Sequence, residues 1–192
     1  MSLKNLNARN SVLLLMIVAA AATRFINLGE QSAWSNFTPI GAIALFGGTY
    51  FTNRYKAYAV PLITLLVSDI FINYSYTGEW TLFYGGFIWV YACFAAMVFI
   101  GGLIKKVNVI NVFAASLAGV LLHWLVTDIQ PWLGGTLYSK GFEGYIQSLI
   151  AAIPFEKNLL FGNLLFGAIL YGGFELAKSK FSVLKTNKEL VY

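Results

Sequence analysis

One carboxylate interrupts the apolar run VPLITLLVSDIFINYSY. It is Asp69, and Asn73 and Tyr76 follow it at i+4 and i+7 on the same helical face. A charge inside so apolar a stretch is costly and by default functional. Two readings stand: Asp69 pairs with Arg24 and locks two helices together, or Asp69 and Arg24 face a ligand. His123 is the sole histidine, which excludes bis-histidine haem and histidine-rich metal clusters and leaves either a packing role or a ligand contact. Asp128, Asn158 and the pair Asn36 and Thr38 add hydrogen-bonding groups beside apolar segments. This chemistry is recognition. No HExxH, GxSxG, P-loop or Ser/His/Asp order announces hydrolysis, so neither an enzyme nor a bound metal or cofactor is expected.

The elements that carry these residues follow from composition. The chain has 192 residues, 58% of them hydrophobic and 11% charged, with a mean hydropathy of +0.70. That is too little polar surface to cover a soluble globule, so the lipid bilayer is the expected solvent. The formal net charge of +5 comes from Lys and Arg scattered between apolar runs. They fit topology signals rather than a phosphate-binding stripe, and no nucleic-acid partner is expected. Cys93 is the lone cysteine, which rules out an intramolecular disulfide and a cysteine-based metal cluster.

Apolar runs at about 11–28, 37–53, 57–77, 81–104, 109–127 and 158–177 predict an all-α polytopic membrane protein, a six-helix bundle. The first run follows Lys4 and Arg9 and imitates a signal peptide, but it is expected to stay as an anchor. Residues 1–178 read as a single membrane domain and 179–192 as a polar, frayed tail. An even number of spans puts both termini on one side. With them lie Lys4, Arg9, Arg54, Lys56, Lys105, Lys106, Lys178, Lys180, Lys185 and Lys188, against Arg24, Lys140 and Lys157 on the other side. The positive-inside rule then makes the termini cytoplasmic, in a bacterial inner membrane.

With this topology Arg24, Asn27, Asn36, Thr38, Asp69, Asn73, His123, Asp128 and Asn158 all fall near the outer ends of their helices, and Asn163 lies deeper in the last one. The expectation is an outward-facing polar cavity inside an apolar bundle. The connection 128–157 carries Gly134, Gly135, Gly141, Gly144, Trp132, Tyr138 and Tyr145, and is expected to form an outer loop or lid. Within it FEGYIQSLIAAI reads as an interfacial helix ending before Pro154. In NFTPIGAIALFGG, Asn36 or Thr38 is expected to cap a short helix with Pro39 at its first position. Gly41 and Ala44 would admit a close neighbour. Free N–H groups at that helix start would favour an anionic ligand group.

NFTPIGAIALFGGTYF, PLITLLVSD and LVTDIQPWLGGTLYSKGFEGYIQSLIAAIPFEKNLLFGNLLFGAILYGG resemble a family of bacterial integral membrane proteins without an assigned function. It is marked by an NFTP(I/V)GA motif near its start and AAIPF..N before its final helix, and the resemblance spans roughly residues 12–173. That architecture is similar to the S components of energy-coupling factor vitamin transporters. These are six-helix proteins with a ligand site near the outer face and an ATP-hydrolysing partner module. Solitary cobalamin-binding members share the pattern of Ala22, Thr23, Arg24 and Asp69, but their cobalt-contacting cysteine has no counterpart in NYSYTGEWTLFYGG. The paired alanines that dock S components on the partner module have only Ala19 and Thr23 as a match. The resemblance implies uptake of a small water-soluble nutrient, a vitamin or cofactor precursor. The alternative is a structural or assembly subunit that binds another membrane protein.

Overall fold

The computed structural model describes residues 3–26 and 34–186, with side chains from Ala8 onward. Six α-helices and no strand are present among those residues: α1 (Leu3–Ala22), α2 (Ile40–Tyr50), α3 (Arg54–Thr77), α4 (Phe87–Gly102), α5 (Val109–Thr127) and α6 (Phe142–Lys180). Asn27 lies outside the described residues. Side chains of Asn53 and Asn108 start α3 and α5 by accepting from the Lys56 and Asn111 amides at 3.2 and 2.8 Å. Gly78 ends α3 at φ 74°, a left-handed backbone that glycine adopts without strain.

Four spans, in α1, α3, α5 and α6, are long and apolar enough to cross a bilayer. Their outward faces are apolar too. Ile63, Val67 and Phe71 on α3, Leu117, Leu121 and Leu125 on α5, and Phe161, Leu165 and Ile169 on α6 form exposed stripes at four-residue spacing. A water-soluble helix would put polar residues there, so these stripes are lipid-facing and the chain is a helical membrane protein.

The short helix α2 is the centre of the bundle. Ile40 to Gly47 are all buried, and α2 packs against each of the other five helices. Its contact with α4 is backbone to backbone. A Cβ on Gly48 would come 2.0 Å from the Val98 carbonyl oxygen, and one on Gly101 would come 2.1 Å from that of Leu45. Glycine on both helices is therefore what permits the approach. Thr49 bridges the seam, its hydroxyl 2.9 Å from the Gly101 carbonyl and 2.8 Å from the Tyr171 hydroxyl. Phe46, Tyr50, Tyr171 and Phe174 pack below as edge-to-face or tilted rings.

The sequence and the structure part company at α6. The stretch expected as a loop or lid with a separate interfacial helix is helical from Phe142, and that helix continues through Pro154 to Lys180, 39 residues in all. At 1.5 Å per residue α6 is roughly 58 Å long, well beyond the ~30 Å hydrocarbon core. Its first turns lie along the end of α5: Tyr145 donates to the Leu125 carbonyl at 2.6 Å and the Trp124 indole to that of Leu149 at 2.9 Å. The tail differs as well. The chain expected to fray from Ser179 forms a turn at Ser182–Leu184 and buries Leu184 against α1. Arg9 holds it there, donating to the Leu184 carbonyl and, at 3.0 Å, to the Tyr50 carbonyl.

Candidate functional site

At the opposite end of the bundle from Arg9, α2 stops short. Its 11 residues reach only about 16 Å, roughly half the hydrocarbon thickness. The taller helices continue past it and enclose a cavity of about 360 Å³ over its N-terminus. The floor is made by Ile40, Leu65 and Leu159, and the walls carry Arg24, Asn36, Thr38, Asp69, Tyr84, His123, Thr127, Asp128 and Glu156.

Arg24 sits in a tight turn just after α1 and crosses to α3, where it donates to Ser68 and, at 2.9 Å, to Asp69 Oδ1. Asp69 Oδ2 lies 3.4 Å from the Tyr91 hydroxyl, and Tyr84 lines the cavity with the same carboxylate. Burial, and then the neighbouring Asp69 charge, push the Tyr84 phenol up from its ordinary range, so it remains a neutral donor. Asp69 thus pairs with Arg24 across two helices, and both side chains line the cavity.

Across the cavity, His123 on α5 meets Glu156 on α6, with Nδ1 2.9 Å from Glu156 Oε1. Phe94 lies against the imidazole at a centroid distance of 5.6 Å. Glu156 Oε2 has no partner among the described residues. Asp128 closes α5 and is held by the Ser148 hydroxyl, 2.9 Å from its Oδ1. Beneath the floor lies Asn163, one helical turn deeper than Leu159, fully buried and with neither amide atom partnered among the described residues. Its side chain occupies the space where Gly41 has none, since a Cβ there would come 2.2 Å from Asn163 Oδ1. Gly41 thus admits a side chain rather than a neighbouring backbone.

Of the eight residues singled out by sequence, Arg24, Asn36, Thr38, Asp69, His123 and Asp128 come together around this cavity. Asn73 and Asn158 do not line it. Asn73 donates to the Thr81 carbonyl at 3.3 Å and pins the α3–α4 connection, while Asn158 donates to the Ser35 carbonyl at 2.9 Å and holds the approach to α2. Each amide is used on a main-chain carbonyl that burial would otherwise leave unmet. Tyr76, at i+7 from Asp69, is half exposed at the last turn of α3, two turns beyond Asp69. At the start of α2, Pro39 itself occupies the cap position, one residue later than expected. Thr38 Oγ1 makes only a long 3.5 Å contact with the Ile40 amide, and Asn36 takes a left-handed backbone at φ 67°.

Glu156 and Tyr84 are additions that sequence reasoning missed. A signal for Glu156 exists. Gly144, Ser148, Ala152 and Glu156 recur every four residues, and Leu159, Asn163, Gly167, Leu170 and Phe174 extend the same stripe. One helix facing one core explains that spacing, whatever Pro154 implies locally. Tyr84 carries no such signal, being one aromatic among many beside a helix end.

The sequence profile described as "Family of unknown function (DUF6580)" matches residues 4–185. The chain belongs to this family. Neither a curated protein nor a solved structure matches it.

Proposed function

We propose that this DUF6580 protein is a membrane-embedded binding protein for a small water-soluble nutrient, a vitamin or cofactor precursor, taken up through the cavity above α2. One observation carries the reading: Arg24, Asp69, His123, Asp128 and Glu156 line one cavity at the end of an otherwise apolar bundle. Ionisable groups are expensive at that depth, and a purely structural ion pair would need only the first two. The volume of about 360 Å³ lies toward the small end of the ~300–1,000 Å³ of ordinary ligand pockets. It favours a ligand of one or two rings over a corrinoid, which with its nucleotide loop is several times larger.

The excess of Lys and Arg at the end where Arg9 and Leu184 meet supports a cytoplasmic placement of that end, with the cavity opening outward. In this reading the protein works as S components do. It captures ligand from outside and draws energy from an ATP-hydrolysing module, another membrane protein or trapping of the substrate in the cell.

Native mass spectrometry of the detergent-purified protein tests this. The expected result is a discrete small-molecule mass retained by the wild type and lost in Asp69→Ala. Asp69→Asn, which preserves the shape of the site, should lose it in parallel. A wild type that carries no small molecule and repeatedly brings down another membrane protein would replace this reading with that of an assembly subunit.

A further inference from the structure

Charges around the cavity do not balance. Asp69, Asp128 and Glu156 are acidic; Arg24 and, when protonated, His123 are their only cationic companions among the described residues. Arg24 is committed to Asp69 and Ser68. Asp128 is met by a neutral hydroxyl. With its three carboxylates ionised, the described lining carries one surplus negative charge if His123 is protonated and two if it is not. Surplus charge of one sign is costly where water is scarce, and it is most simply offset by a cation that arrives with the ligand.

A second, independent observation locates that cation. Glu156 belongs to the cavity lining and its side chain is only 8% exposed; its buried Oε2 has no partner among the described residues, while Oε1 is taken by His123. An ionised carboxylate oxygen can only accept, so what completes it is an N–H or O–H donor. Phe94, Phe155 and Tyr84 line the same space and supply aromatic rings of the kind that cations favour, and Leu65 and Leu159 add apolar surface.

From the free oxygen and the charge surplus we infer that the ligand is an organic cation, a protonated amine whose N–H group docks on Glu156 Oε2 while its apolar body packs on the cavity floor. This rests on the cavity being a ligand site. It reverses the expectation of an anionic group at the start of α2, where three nearby carboxylates oppose an anion.

The test is thermal unfolding of the full chain in detergent with phenethylamine and tryptamine, each beside its neutral alcohol (2-phenylethanol, tryptophol) and its carboxylate (3-phenylpropionate, indole-3-propionate). An amine at ten times its Kd should raise the Tm by about 3–6 °C, with the alcohols and carboxylates giving markedly less. Glu156→Gln should keep its own Tm and lose the amine shift, and Asp128→Asn should weaken the shift with the fold intact. The inference is overturned by equal shifts across a matched set, by a larger carboxylate shift, by an amine shift that survives Glu156→Gln, or by no amine shift at all. Native mass spectrometry separates the two levels. A bound neutral or anionic molecule overturns the cation and leaves the binding protein standing, whereas no bound molecule together with no shift overturns both.

Discussion

Arg9 and Arg24 lie near opposite ends of the first helix, roughly 22 Å apart along its axis, and the two arginines are used in opposite ways. Arg9 is 3% exposed and spends its guanidinium on the main-chain carbonyls of Tyr50 and Leu184, with the rings of Tyr50 and Phe174 beside it at 5.9 and 5.2 Å. Around it Glu175 accepts from Tyr50 at 2.5 Å and from Lys178 at 2.8 Å. Arg24 instead meets a carboxylate and a hydroxyl at the edge of a cavity whose remaining acids outnumber the cations. A buried guanidinium that donates to main-chain carbonyls of separate segments holds a chain together. Buried charge left in surplus at a cavity costs stability, and such a cost is retained where something is to be bound.

That contrast can be broken at either end. The largest expected effect is Arg9→Ala, which strips partners from two carbonyls and releases the C-terminal turn. About 3–5 kcal/mol and a fall in Tm of roughly 10 °C are expected, without loss of ligand from the protein that remains folded. A Tm within a degree of wild type would remove the claim that Arg9 is structural. Next is Asp69→Ala, which strands the Arg24 charge and should cost about 3 kcal/mol. Arg24→Ala combined with Asp69→Ala should recover much of that in a double-mutant cycle yet still fail to bind. A stable double variant with unaltered ligand retention would turn the pair into a mere helix lock. The smallest effect is Ser148→Ala, expected at about 1 kcal/mol from the hydroxyl lost to Asp128. It sharpens the contrast if ligand affinity changes more than stability does, as measured by mass spectrometry and thermal unfolding side by side.

Much of the cavity was legible because membrane spans leave few choices. Polar residues stand out against apolar runs, alternating helix direction fixes which end of the bundle each one occupies, and Arg24, Asp69, His123 and Asp128 met as that logic required. What was not legible depends on local competition. Pro154 lacks an amide and ordinarily marks a helix start, so the chain before it read as a loop with a separate interfacial helix that stops there. The packing of Tyr145, Ser148 and Leu149 along the end of α5 outweighed that preference and carried Glu156 onto a wall of the cavity. Asn73 and Asn158 lie near the right end, but an amide satisfies a loop carbonyl as readily as a ligand, and residue type cannot tell the two apart. The tail looked frayed because its charges hide Leu184, whose burial depends on an arginine far away in sequence.

The brevity of α2 also bears on how the chain is made. Eleven residues, with polar helix ends and glycines matched to the backbone of α4, cannot rest alone in hydrocarbon. This segment has to be drawn into the bilayer in the company of its neighbours. Biogenesis is then a collective event, in which α2 reaches its seat together with later helices even though it is synthesised second.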